Sequence, residues 1–167
     1  MKEEAKCCIS GSFNKGKDII DRDIDTFNDL NVMVLAPSKG WLFLPRDSHI
    51  DRYDKGFRPL ASERGLNVKQ IEDNFLECIK KSDFLYIEAV GGYVGNSGFF
   101  EIGFAIANEI PVYSSESIIL DSDFDIEIRE ILSKIQVATP EKAIKDFKEE
   151  RTKRLEETRI GLIKFLA

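Results

Sequence analysis

Apolar positions along the chain change period repeatedly, and each change marks an element. Residues 5–10 form a first apolar run that ends at Gly11-Ser12. A polar segment over 14–31 follows, with Ile19, Ile20, Ile24, Phe27 and Leu30 at helical spacing. A second short apolar run, 32–36, stops at Pro37. Strand, helix and strand within roughly thirty residues predict a right-handed crossover and a parallel sheet.

Residues 37–65 break this rhythm with Gly40, Pro45, Gly56, Pro59 and Gly65 among the aromatic Trp41, Phe43, Tyr53 and Phe57. So long a loop is expected to be a lid or binding loop. Asn67 is placed to cap a helix with Val68, Ile71, Phe75, Cys78 and Ile79 on one face. Residues 84–89 predict a third strand, 90–98 a glycine-rich loop, 99–108 a short helix and 111–114 a fourth strand. A helix over 125–134 and a fifth strand over 135–138 complete the alternation. Thr139-Pro140-Glu141 then supplies a hydroxyl cap, a proline at the first position and an acid in the first turn of a long C-terminal helix, 139–167. Its centre, 148–159, is dense in mixed charge and reads as a solvated face.

Five strands alternating with helices predict an α/β three-layer sandwich, one domain over 1–167. Ligands in such sheets bind at the C-terminal strand ends, near the topological switch point. Attention therefore falls on residues 11–17, 37–65, 90–101 and 114–117.

Composition narrows the function. The 24 Lys+Arg and 30 Asp+Glu leave a formal charge of −6, with 43% hydrophobic and 32% charged residues, the balance of a globular protein. An isoelectric point near 5.0 argues against a nucleic-acid polymer as partner. No apolar run approaches the roughly 20 residues of a membrane span, and the N-terminus lacks a signal-peptide layout. Cys7, Cys8 and Cys78 have neither disulfide nor metal spacing, and His49 is the only histidine, so no metal is expected. The expectation is a cytoplasmic protein with reduced thiols.

The stretch Gly91-Gly92-Tyr93-Val94-Gly95-Asn96-Ser97-Gly98 carries four glycines in eight residues and leads into a helix. Free amides and the helix dipole there favour an anion such as phosphate, although a tight strand-to-helix connection has the same composition. It matches neither the P-loop nor G-x-G-x-x-G. Glu101 falls in the first turn of the predicted helix. It is either a carboxylate stabilised by the dipole or closing a capping box, or one kept ionised to attack a sugar carbon. Gly11-Ser12-Phe13-Asn14-Lys15-Gly16-Lys17 offers a hydroxyl and two lysines to a phosphate, or an ordinary turn with a serine cap. Glu88, near the end of strand three, is a candidate second carboxylate, whereas Asp83 at its start is expected to be structural. Asp18, Asp21, Asp23 and Asp25 spread around a helix and read as a solvated acidic face. His49, with Arg46, Asp47, Asp51 and Arg52, reads as an exposed polar loop. Trp41 and Tyr53 either stack on a base or pin the loop.

Gly91-Gly92-Tyr93-Val94-Gly95-Asn96-Ser97, then Glu101-Ile102-Gly103-Phe104-Ala105-Ile106-Ala107, then Pro111-Val112-Tyr113 resembles the nucleoside 2-deoxyribosyltransferase family, which includes 2′-deoxynucleoside 5′-monophosphate N-glycosidases. Cys8-Ile9-Ser10-Gly11-Ser12-Phe13-Asn14-Lys15-Gly16 resembles the first strand and loop of the glycosidase branch. The resemblance covers roughly residues 6–115. It implies a flavodoxin-like sheet, a small-molecule nucleoside or nucleotide substrate, no cofactor and a homodimer or higher homo-oligomer. It further implies Glu101 as the nucleophile at the anomeric carbon, Ser97 with Asn96 at the 5′-group or phosphate, and Ser12 as a ligand contact. Gly11, Gly92, Tyr93, Gly95 and Glu88 complete the expected binding set. The family's sugar-positioning aspartate would fall at Phe75, a core position by periodicity, with Asp73 as a shifted substitute. The function so implied is N-glycosidic bond cleavage or base exchange. The alternatives are a nucleotide-binding or sensing module without chemistry, and a phosphoribohydrolase.

Overall fold

The computed structural model describes residues 4–38, 63, 65–120 and 125–166. The elements run β1 (Ala5–Gly11), α1 (Phe13–Asp29), β2 (Val32–Ala36), α2 (Val68–Lys81), β3 (Phe84–Glu88), α3 (Asn96–Ala107), β4 (Val112–Ser114), α4 (Ile126–Leu132), β5 (Gln136–Val137) and α5 (Pro140–Leu166). The strands form one parallel sheet in the order β2-β1-β3-β4-β5. That is the flavodoxin-like order, with the switch point between β1 and β3. The expected lid, 37–65, lies outside the described residues except for Pro37, Ser38, Glu63 and Gly65, and Trp41, His49 and Tyr53 lie there too.

Strand alternation divides the core in two. Cys7, Ile9, Phe84 and Tyr86 face α1 and α5, meeting Ile20, Ile24, Phe27, Ile144 and Phe147. The ring of Phe27 packs 5.7 Å from Phe84 and 5.2 Å from Tyr86, tilted and edge-on. Cys8, Leu85 and Ile87 face the other way, against Ile79 of α2, Ile102 and Ala105 of α3 and Leu132 of α4. Each such aliphatic or aromatic side chain contributes about 1.5–3 kcal/mol when withdrawn from water. These two layers fix the sheet, and with it the positions of the strand ends.

Local signals set several boundaries. Asn67 and Gln70 form a reciprocal capping box, so α2 begins where the sequence places it. Thr139 accepts from the Lys142 amide at 3.4 Å at the start of α5. Pro140 needs no donor there, which is why a proline opens this helix. The expected start of α3 at residue 99 is corrected to Asn96. Gly95 is the N-cap, and the Phe99 amide already donates to the Gly95 carbonyl.

Candidate active site

At the switch point β1 has no room for a side chain at its last residue. Gly11 pairs with Glu88 across β1 and β3, and a Cβ at Gly11 would lie 2.6 Å from the Glu88 carbonyl oxygen. Only glycine lets β1 end here and turn into α1. Gly98 on α3 is tight against the loop before it, where a Cβ would lie 2.7 Å from Val94 Cγ1, and it stands in ordinary contact range of β1, 3.7 Å from Ser10 Oγ.

The packing of α3 against the end of β1 brings Ser10 and Glu101 together. The Ser10 hydroxyl donates to Glu101 Oε2, and both residues are buried, at 2% and 8% exposure. Because α3 begins three residues earlier than expected, Glu101 is its sixth residue and lies beyond the first turn. The expectation of a carboxylate kept ionised by the helix dipole is therefore corrected. Burial dominates and pushes the Glu101 carboxyl up to about 8, against the opposing pull of the Ser10 hydrogen bond.

A second carboxyl lies on the same face of the sheet. Glu72 of α2 acts on Glu101 through its charge, and its own acidity is weakened, first by burial and then by Asp73. Glu72 Oε1 is buried with no hydrogen-bond partner among the described residues. Asp73, the substitute suggested from sequence, instead faces solvent and pairs with Lys69. Phe75 packs into the core, as its periodicity predicted. The offset counted back from Asp83 falls on Phe75 and leaves Glu72 out. The relevant signal is its helical position four residues before Leu76 and seven before Ile79, on the inward side of α2.

The remaining expected ligand contacts fall into two groups. Ser12 is the N-cap of α1, yet its hydroxyl makes no capping bond among the described residues. Asn96 and Ser97 open α3, exposed, where first-turn amides are free to meet an anion. Tyr93 is 45% exposed and lies under the Lys15 ammonium, 3.7 Å from ring centroid to Nζ, which links the first turn of α1 to the glycine loop. Gly92, at φ 73°, is buried against Ser117 and Ile119, so it shapes the loop from behind. Gly95 caps α3 and sits near the Tyr93 hydroxyl.

Glu88 stands apart from these. It is buried at 4%, and its side chain leaves β3 on the α1 side, the opposite sheet face from Glu101. There it accepts from the Ser115 hydroxyl at 2.9 Å, and, after burial, its negative charge weakens Asp23 of α1 as an acid. Asp23 is itself 3% exposed. The expectation of a fully solvated acidic face on α1 is corrected for this residue, whereas Asp18 and Asp25 are exposed. The spacing Ile20–Asp23–Phe27 places Asp23 on the apolar stripe, a signal that was legible beforehand. Asp83, at the opposite edge, accepts from the Lys6 amide at 2.8 Å.

No group of three or more His, Cys, Asp or Glu side chains among the described residues is placed to hold a metal ion. No helix among them is long and apolar enough to cross a membrane.

No protein-family model matches the chain, and no curated relative matches it. Eight solved chains are similar to it, the following two among them. A conserved protein from Enterococcus faecalis V583 matches at TM-score 0.54 and 14% identity, covering 89% of this chain and 99% of its own. Clostridium botulinum CMP N-glycosidase, BcmB, matches at TM-score 0.48 and 13% identity, covering 87% of this chain and 98% of its own. At this identity the likeness to the Enterococcus faecalis protein is one of fold alone.

Proposed function

We propose that the protein cleaves the N-glycosidic bond of a nucleoside or nucleoside 5′-monophosphate, with Glu101 as nucleophile. The observation that carries this reading is the buried Ser10–Glu101 pair at the C-terminal edge of the sheet, beside a second carboxyl on α2. Glu101 occupies the position of the glutamate in the family that residues 91–113 resemble.

In the proposed reaction an ionised Glu101 oxygen bonds to C1′ as the C1′–N bond breaks, and the bonding electrons leave with the base, which takes up a proton. Water then attacks C1′, gives a proton to solvent and frees the carboxylate. A second base in place of water gives exchange. The transition state is oxocarbenium-like, as in retaining glycosidases. Ser10 steadies the ionised form of Glu101 by its hydrogen bond. The unpartnered Glu72 oxygen is an acceptor suited to a sugar hydroxyl. Ser12, Ser97 and the first-turn amides of α3 suit a 5′-phosphate. A homo-oligomer, small-molecule partners and a cytoplasmic location belong to the same reading, on the resemblance alone.

A second reading has its own observation. A carboxyl pushed up to about 8 is mostly protonated at pH 7, which fits a nucleotide-binding module whose pocket has lost its chemistry. Incubating the protein with nucleosides and their 5′-monophosphates, with chromatography for free base, tests the proposal. Base release that rises with pH as Glu101 ionises supports the nucleophile. Tight nucleotide binding without base release at any pH from 6 to 9 replaces it with the binding module.

A further inference from the structure

Beyond the sheet, α5 runs on as a single projecting helix. It starts beside the last residue of β4, where the Ala138 amide donates to the Ser114 carbonyl at 2.9 Å. By Phe147 it has crossed the sheet and packs 5.3 Å from the ring of Phe84, the first residue of β3. Residues 148–166 carry it roughly 28 Å past that edge. Between 148 and 160 only Arg151 is not exposed, and Leu155 and Ile160 stand 63% and 53% open.

A helical stretch so solvated gains little from packing, and its i,i+4 pairs, such as Glu150 with Arg154 at 3.1 Å, add only a small amount. In the angle between it and the sheet edge lies a groove of about 940 Å³, room for roughly two turns of a second helix. Ile110, Pro111 and Phe147 give the groove an apolar lining. Its charges are polarised. Asp83 and Glu109 at the sheet edge, with Glu149 and Glu150 on the near part of α5, are acidic. Further out along the helix, Arg151, Lys153, Arg154 and Arg159 outnumber Glu156 and Glu157.

A straight helix cannot turn its basic outer half onto the acidic groove at its own base. A second copy running antiparallel can, and a two-fold axis makes the same match in both directions. We propose that the outer half of α5 from each of two copies docks antiparallel into the groove of the other. This covers Leu155 and Ile160 and sets Arg159 toward the acidic side of the groove, where Glu109 stands. The groove lies at the N-terminal edge of the sheet, away from Glu101, so the dimer does not depend on the proposed reaction.

Sedimentation equilibrium on the full chain tests this without reading base release, so its failure is separate from failure of the proposed function. A dimer is expected at tens to hundreds of micromolar, weakened by raised salt. Arg159→Glu and Glu109→Lys, both at exposed positions, are each expected to weaken it at least about tenfold. Mixing the two variants is expected to restore it, because both contacts of the mixed dimer then pair opposite charges. Leu155→Lys, which removes the apolar contact and leaves the charges, is expected to give a folded monomer by circular dichroism. A chain that is monomeric throughout overturns the proposal and leaves the groove to a different protein. A dimer that these folded variants leave intact, or a mixture that stays monomeric, overturns it equally.

Discussion

Ser10, at the end of β1, donates a hydrogen bond to Glu101, 91 residues further along the chain, and both are buried. The contact joins the first strand to the third helix across the switch point. Gly98, one turn before Glu101, lies beside it, where an added Cβ would be in ordinary contact with Ser10 Oγ at 3.7 Å. Burial raises the Glu101 carboxyl, and the Ser10 bond at this junction pulls the other way.

Removal of the charge at Glu101 separates catalysis from structure. Glu101→Gln keeps the shape and can still accept the Ser10 hydroxyl through its carbonyl. The variant is expected to fold and bind nucleotide while base release falls at least ~100-fold, or ~2.7 kcal/mol of barrier. Single-turnover assays check this, and a folded variant with near wild-type turnover removes the nucleophile assignment.

The same residue sets a pH dependence of stability whose sign is fixed. The folded carboxyl is raised from 4.5 to about 8, so the native state holds a proton that the unfolded chain has already lost within that window. The unfolded state then binds fewer protons, and stability falls as pH rises between those limits. Glu101→Gln is expected to flatten that part of the profile in denaturant titrations at a series of pH values. A wild-type slope unchanged in the variant would assign the dependence elsewhere.

Loss of the Ser10 hydroxyl acts on acidity. Its hydrogen bond favours ionised Glu101, so Ser10→Ala raises the carboxyl further and moves the rising limb of base release to higher pH. Activity at pH 7 is expected to fall roughly tenfold and to recover partly toward pH 9. A uniform loss at every pH would mean that Ser10 works by packing alone.

The phosphate expectation rests on Ser12, Ser97 and the open first turn of α3. A nucleoside 5′-monophosphate is expected to bind at least about tenfold tighter than its nucleoside, ~1.4 kcal/mol, with Ser12→Ala reducing the difference. Calorimetry on both ligands decides it, and equal affinities leave the glycine loop as a sugar contact or a plain turn.

Close approach at Gly11 is testable by stability. Gly11→Ala places a methyl 2.6 Å from the Glu88 carbonyl, a backbone atom that moves only with β3. A loss of about 1–3 kcal/mol is expected in urea unfolding. An unchanged midpoint would show that the two strands can part there.

Alternating apolar runs, the Asn67 cap and the Thr139-Pro140 helix start were enough to predict a five-stranded parallel α/β sheet, because strand and helix periods and caps are local properties of the chain. Glu101 could be marked from its neighbours for the same reason. Its acidity could not, because that depends on burial and on Ser10, which only the packing of α3 against β1 supplies. Glu72 and Glu88 show the difference most plainly. Each is a charged residue beside apolar ones, but the orientation of α2 brings Glu72 to the face of Glu101, while the two-residue alternation of β3 turns Glu88 to α1. Which carboxyls meet is decided by the register between elements, and register is fixed by side chains packing across the sheet rather than by any segment alone.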